Sequence, residues 1–187
     1  MIRTFVAVEI DKDILDKIVG VQKKIDQRYV DIRLVQPRNM HITLKFLGDL
    51  TEEKIIEVSK KLGDVAKRHK KIKTVVGHVG TFGWDTKKYV RVIWLDLMEK
   101  ENNFKKLQRD VADTLDYIRQ EDYTEPKPHI TLGRVSFVKD IEKLARNLKE
   151  LEDVVVGDFL VKEIKLMSST LTSNGPVYKE IKSFGLA

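Results

Sequence analysis

Two histidines and two threonines carry the strongest chemical signal in this chain. They occur as His41-Ile42-Thr43-Leu44 and His129-Ile130-Thr131-Leu132, the same tetrapeptide once in each half. Ile, Thr and Leu favour pleated backbone and polarity alternates with a period of two, so each copy reads as a β-strand. His and Thr then share one face, while Ile42, Leu44, Ile130 and Leu132 point into a core. Each strand presents an imidazole beside a hydroxyl. Across one cleft, two imidazoles serve as general base and general acid, because an ordinary imidazole titrates near pH 6.5. Two hydroxyls hydrogen-bond substrate oxygens between them, and a phosphate ester suits that arrangement.

The elements that must hold these strands repeat as well. Residues 2 to 10 alternate as a strand, and Ile14, Ile18, Val21 and Ile25 recur at helical spacing over 12 to 28. Val30, Ile32 and Leu34 alternate again, Pro37 breaks the run, and the first motif strand reaches a stop at Gly48-Asp49. Thr51 reads as an N-cap, Ile55, Leu62 and Val65 form an apolar stripe, and the basic run from Lys67 to Lys71 closes that helix, where cations suit its dipole. A strand over 72 to 80 follows. After a turn at 82 to 88 the order restarts with a strand at 89 to 97, a helix over 101 to 120, the second motif strand and a helix over 141 to 151. Further strands are predicted at 154 to 170 and 177 to 184, joined by a hairpin turn at Ser173 to Pro176. The motif histidines lie 88 residues apart (129 minus 41), and that shift carries the first strand and helix onto the later ones. An internal duplication with pseudo-twofold symmetry is expected, its two lobes packed around a cleft lined by both motifs.

Composition narrows the classes. At 187 residues the chain makes one compact unit with one core, and no Gly-, Ser- or Pro-rich linker divides it. Cysteine is absent, which excludes disulfides and thiolate metal sites. The opening MIRTFVAVEI is too short and interrupted for a signal peptide, and no apolar run reaches membrane length, so a cytoplasmic protein without membrane contact is expected. A net charge of +6 favours a polyanionic partner, although charged residues at 34% are also a bias of proteins from hot environments. Neither a phosphate-binding glycine loop nor a dinucleotide fingerprint is present, which argues against ATP-dependent chemistry. Two histidines with two hydroxyls make a poor zinc set, and no carboxylate accompanies either motif, so neither metal nor cofactor is expected. His69 reads as a solvated helix-end cation and His78 as structural. The run Lys67, Arg68, Lys70, Lys71 and Lys73, with Lys87 and Lys88, either guides a polyanion or is a solvated helix end.

The paired H-x-T motifs, the opening RTFVAVEI and the flanks HITLKFLG and PHITLGRV resemble the 2H phosphoesterase superfamily, and within it the RNA 2′,3′-cyclic phosphodiesterases, also called 2′-5′ RNA ligases. The resemblance runs nearly end to end. It implies an α+β, bilobal fold over residues 1 to 187, with two antiparallel sheets and flanking helices around a metal-independent site. It implies opening of RNA 2′,3′-cyclic phosphate ends, on tRNA fragments among other RNAs, to 2′-phosphomonoesters, and the reverse joining to a 5′-hydroxyl. By motif position His41 is the acid and His129 the base, although the two roles are interchangeable, and Thr43 and Thr131 contact non-bridging oxygens. The resemblance also sets Arg134 against the phosphate. In strict strand register Arg134 faces away from His129, so a bulge or strand end at Gly133 is needed to redirect it. Lys45 shares the face of His41 and Thr43 and either adds charge to the cleft or is solvated. Phe5 either stacks on a base or belongs to the core.

Three readings compete: the same chemistry on another cyclic phosphate or a 2′-5′-linked oligonucleotide, an RNA-binding module whose histidines only pack, and a two-histidine metal site. Comparative rates, salt-dependent binding without product, and chelator sensitivity separate them. A monomer is expected because both lobes are self-contained.

Overall fold

The computed structural model describes residues 1–83, 90–119, 127–173 and 175–187. Lys87, Lys88, Pro126, Asn174 and most of the turn expected at 82 to 88 lie outside the described residues. The elements run β1 (Ile2–Glu9), α1 (Lys12–Gln22), β2 (Val30–Leu34), a 3₁₀ turn at Pro37–Asn39, β3 (His41–Leu50), α2 (Glu52–Arg68), β4 (Ile72–Phe82), β5 (Val92–Met98), α3 (Asn103–Thr114), β6 (His129–Val138), α4 (Ile141–Glu150), β7 (Val155–Val161), β8 (Glu163–Thr172) and β9 (Gly175–Gly185).

Most expected elements stand, with three differences. The first helix ends at Gln22, because beyond it the Asn147 side chain accepts from Asp26 N (2.9 Å) and donates to Lys24 O (3.1 Å), satisfying a backbone that would otherwise need more helix. α3 ends at Thr114 and passes into turns through Ile118. The stretch at 154 to 170 is two strands, broken at Lys162, because β7 pairs with β4 while β8 pairs with β1. Thr51 does cap α2, its side chain accepting from Lys54 N at 3.3 Å.

The strands follow the order β7-β4-β5-β6-β3-β1-β8-β9, all antiparallel, with β2 added to β6. The 88-residue shift carries β1 onto β5, β3 onto β6 and β4 onto β8, so the six inner strands, β4-β5-β6-β3-β1-β8, read the same from either end. The two antiparallel sheets expected are joined as halves of one nine-stranded sheet, which meet at the single β3–β6 pair Ile42↔Ile130. Each half-sheet takes a strand from the other repeat, β4 beside β5 and β8 beside β1. The helices cross over too. α1 packs on β6 and β7, and α3 packs on β3. Their apolar faces, Ile14, Ile18 and Val21 on α1 and Phe104, Leu107 and Val111 on α3, close one continuous core with Ile42, Leu44, Ile130 and Leu132. The face opposite this core carries the motif histidines.

Candidate active site

His41 and Thr43 flank Ile42, and His129 and Thr131 flank Ile130. The single antiparallel pair Ile42↔Ile130 therefore gathers all four polar side chains at the seam of the half-sheets. They line one cleft of about 630 Å³, together with Arg134 and Tyr178. That volume is within the range of pockets that hold small organic ligands.

Both imidazoles are oriented in the same way. His41 Nδ1 lies 2.8 Å from Asn39 O, and His129 Nδ1 lies 2.8 Å from Lys127 O. A carbonyl can only accept, so each Nδ1 carries the hydrogen and donates, leaving each Nε2 as the nitrogen available for proton transfer. Aromatic rings hold the two imidazoles. Phe5 and Tyr178 sit 5.0 and 5.2 Å from His41, while Phe82 and Trp94 sit 4.8 and 6.2 Å from His129. Burial pushes both histidines below the ordinary imidazole range. For each, the carbonyl bond opposes that shift and the Arg134 charge adds to it.

An acidic residue accompanies each motif after all, on the neighbouring strand. Glu9 pairs with His41 and Asp96 pairs with His129, and each raises its histidine's proton affinity. Both are engaged elsewhere, Glu9 by Lys165 at 2.5 Å and Asp96 by Leu97 N at 2.8 Å. Among the described residues, no three His, Cys, Asp or Glu side chains group as metal ligands.

Two bulges decide which side chains follow the motifs into the cleft. On β6, Thr131 pairs with Trp94 and Gly133 pairs with Ile93, so Leu132 is an extra residue. Gly133 then faces the core and Arg134 turns to the cleft, which is the redirection that the register required. A Cβ on Gly133 would meet Ile32 Cδ1 at 2.6 Å and Arg33 O at 3.2 Å. Gly133→Ala is therefore expected to lower unfolding free energy by about 1–3 kcal/mol through overpacking. Denaturant unfolding reads this, and a wild-type midpoint would contradict the close approach.

The matching bulge on β3 corrects the expectation for Lys45. Ala7 pairs with Thr43 and Val6 with Lys45, so Leu44 is the extra residue and Lys45 turns to the core side with Val6. Lys45 is 1% exposed and neither solvated nor part of the cleft lining. Phe46 enters instead, 50% exposed, at the position that the 88-residue shift matches to Arg134. That correspondence was readable in the sequence and points to an asymmetric site, cationic on one lobe and aromatic on the other. Phe5 is 3% exposed and forms a small cluster with Ala7, Met167 and Tyr178 beside His41, at the floor of the cleft, which is the core alternative of the two expected.

Two buried glutamines hold the bulged strands from behind. Gln22 on α1 donates to Leu132 O at 2.7 Å and to Val35 O at 2.9 Å, and Gln108 on α3 donates to Thr43 O at 3.1 Å. Each helix so fixes the motif strand of the other repeat. β8 and β9 pair as expected down to Thr172↔Gly175, and Ser173, Gly175 and Pro176 also line the cleft, with Asn39 Nδ2 donating to Pro176 O at 3.0 Å. His69 is not merely solvated: its Nε2 lies 2.8 Å from Asp110, which also binds Arg68. His78 sits at a bulge in β4 with a φ of 52°, away from the cleft.

The chain is 36% identical over 182 residues to the RNA 2′,3′-cyclic phosphodiesterase of Methanocaldococcus jannaschii, covering 97% of this chain and 99% of that one. It is 32% identical over 188 residues to the protein of that name from Aquifex aeolicus, covering 100% and 98%. Among solved structures, a Thermus thermophilus protein superposes with a TM-score of 0.79 at 24% identity, covering 98% and 97% of the two chains. The E. coli LigT complex with 3′-AMP superposes with a TM-score of 0.77 at 22% identity, covering 100% and 98%. These likenesses show a shared fold. The family model for LigT-like phosphoesterases matches twice, at residues 8–94 and 95–178, one match to each repeat. The chain therefore belongs to the LigT-like phosphoesterases of the 2H superfamily, and its duplicated halves are two copies of that family's unit.

Proposed function

We propose that the protein hydrolyses RNA 2′,3′-cyclic phosphate ends to 2′-phosphomonoesters without a metal ion, using His129 as base and His41 as acid. The observation that carries this reading is the common orientation of the two imidazoles, each with Nδ1–H bound to a carbonyl and Nε2 free to exchange a proton. His129 Nε2 takes a proton from water as its oxygen bonds to phosphorus. The bond from phosphorus to the 3′-oxygen breaks, and His41 Nε2 protonates that oxygen, leaving the phosphate on the 2′-oxygen. Thr43 and Thr131 hydroxyls, which have no hydrogen-bond partner among the described residues, donate to the non-bridging oxygens, and Arg134 balances their charge. With a 5′-hydroxyl in place of water and each histidine keeping its role, the same pair joins ends by a 2′-5′ bond, and the roles exchange only when that bond is broken to restore the cyclic phosphate. The relatives' names support the substrate.

The test is an oligonucleotide ending in a 2′,3′-cyclic phosphate, incubated with excess chelator and analysed for its terminal phosphate. A 2′-phosphate formed at the chelator-free rate is expected. A 3′-phosphate, or activity lost to chelator and restored by metal, would falsify the mechanism.

The lowered histidines set a pH dependence. The productive free enzyme holds one proton on the pair, a form most populated between the two pKa values, and burial places both below about 6.5. kcat/KM should peak below pH 6.5 and fall as pH rises through neutrality. A plateau from pH 7 to 9 would contradict this.

A further inference from the structure

The cleft holds more positive charge than one cyclic phosphate needs. Arg3, Arg33 and Arg134 all line it, and among the described residues no carboxylate does. Arg28 and Arg68 are engaged by Asp26 and Asp110, whereas Arg3, Arg33 and Arg134 form no ion pair among the described residues. A cyclic phosphodiester carries a single negative charge, so Arg134 alone balances it. Arg33 is directly opposite Arg134 across the β2–β6 ladder, on the same face. Like charges at opposed positions repel and destabilise a sheet, so the pair is tolerable where anions separate and neutralise the two guanidinium groups. Arg33 is exposed and β2 carries no structural demand for it, since Val30 and Ile32 supply that strand's core contacts.

The geometry points to a second phosphate subsite at Arg33, which takes the phosphodiester on the 5′-oxygen of the nucleotide whose cyclic phosphate sits at Arg134. This rests on the proposed function and narrows its substrate class. The site is built for the 3′ end of a chain, with a phosphate on each side of the terminal nucleoside, rather than for a free nucleoside cyclic phosphate. Exposed Phe46 and the Tyr178 ring line the same cleft and offer aromatic surface for the base.

Two substrates differing in one group decide it: adenosine 2′,3′-cyclic phosphate with a free 5′-hydroxyl, and the same compound carrying a methyl phosphodiester on the 5′-oxygen. The ratio of their kcat/KM values is measured for wild type and Arg33→Gln, with thermal melting of both proteins alongside. A charge-assisted bidentate contact is expected to give wild type a preference of about tenfold or more for the 5′-phosphodiester. The ratio should collapse toward one in Arg33→Gln and shrink with added salt in wild type. A wild-type ratio near one, or a preference that survives in Arg33→Gln, overturns the subsite while leaving the cyclic-phosphate reading standing. No turnover of either compound by wild type overturns that reading and the subsite with it.

Discussion

Replacing His129 or His41 with alanine is expected to lower kcat/KM on a 2′,3′-cyclic phosphate end by about 10²–10⁴-fold, the range that a positioned acid or base contributes. Both side chains stand on the cleft face of their strands, outside the cluster formed by Ile42, Leu44, Ile130 and Leu132. The variants should therefore fold and melt much as wild type does. The double variant is expected to be scarcely worse than either single one, because acid and base serve one displacement and the loss of either already stalls it. Multiplying losses would instead describe two independent binding contacts. Exogenous imidazole offers a control, since it should partly restore the variants and leave wild type unaffected.

Arg134→Met should be the next most damaging change, costing about 10²–10³-fold in kcat, the scale for losing one preorganised donor to a developing oxyanion. Arg134→Lys should recover little of it, because an ammonium lacks the planar fork that spans two phosphoryl oxygens. A second signature separates this role from simple attraction of RNA. The Arg134 charge lowers the proton affinity of both motif histidines, so its removal should move the kcat/KM optimum to higher pH. Loss of rate with an unmoved optimum would place Arg134 on the RNA backbone and away from the reacting phosphate.

The duplication was legible because it rests on local patterns. The H-x-T strands, the capped helix after Thr51 and the 88-residue shift all survive in the fold. Side-chain direction beyond each motif was not legible, because alternation fails wherever a bulge adds a residue. Leu44 and Leu132 are such residues. They send Lys45 into the core and bring Phe46 and Arg134 to the cleft, and only cross-strand register reveals it. The exchange of β4 and β8 between half-sheets was equally hidden, since both orders satisfy the same hydrophobic pattern. Gln22 and Gln108 gave no signal either. Each is a polar residue on a helical stripe, and its purpose depends on a carbonyl 110 or 65 residues away.

The central claim is that two imidazoles exchange protons with one substrate. It is tested most directly by the pH dependence of kcat/KM in wild type, His41→Ala and His129→Ala, measured on the same cyclic-phosphate oligonucleotide. Wild type should give a bell, and each variant should keep its residual activity while losing one limb, His129→Ala the acidic one and His41→Ala the basic one. Exchange of the lost limbs would reverse the acid and base assignment and preserve the mechanism. A full bell persisting in either variant would show that the removed histidine carries no proton in the reaction, and would contradict the account.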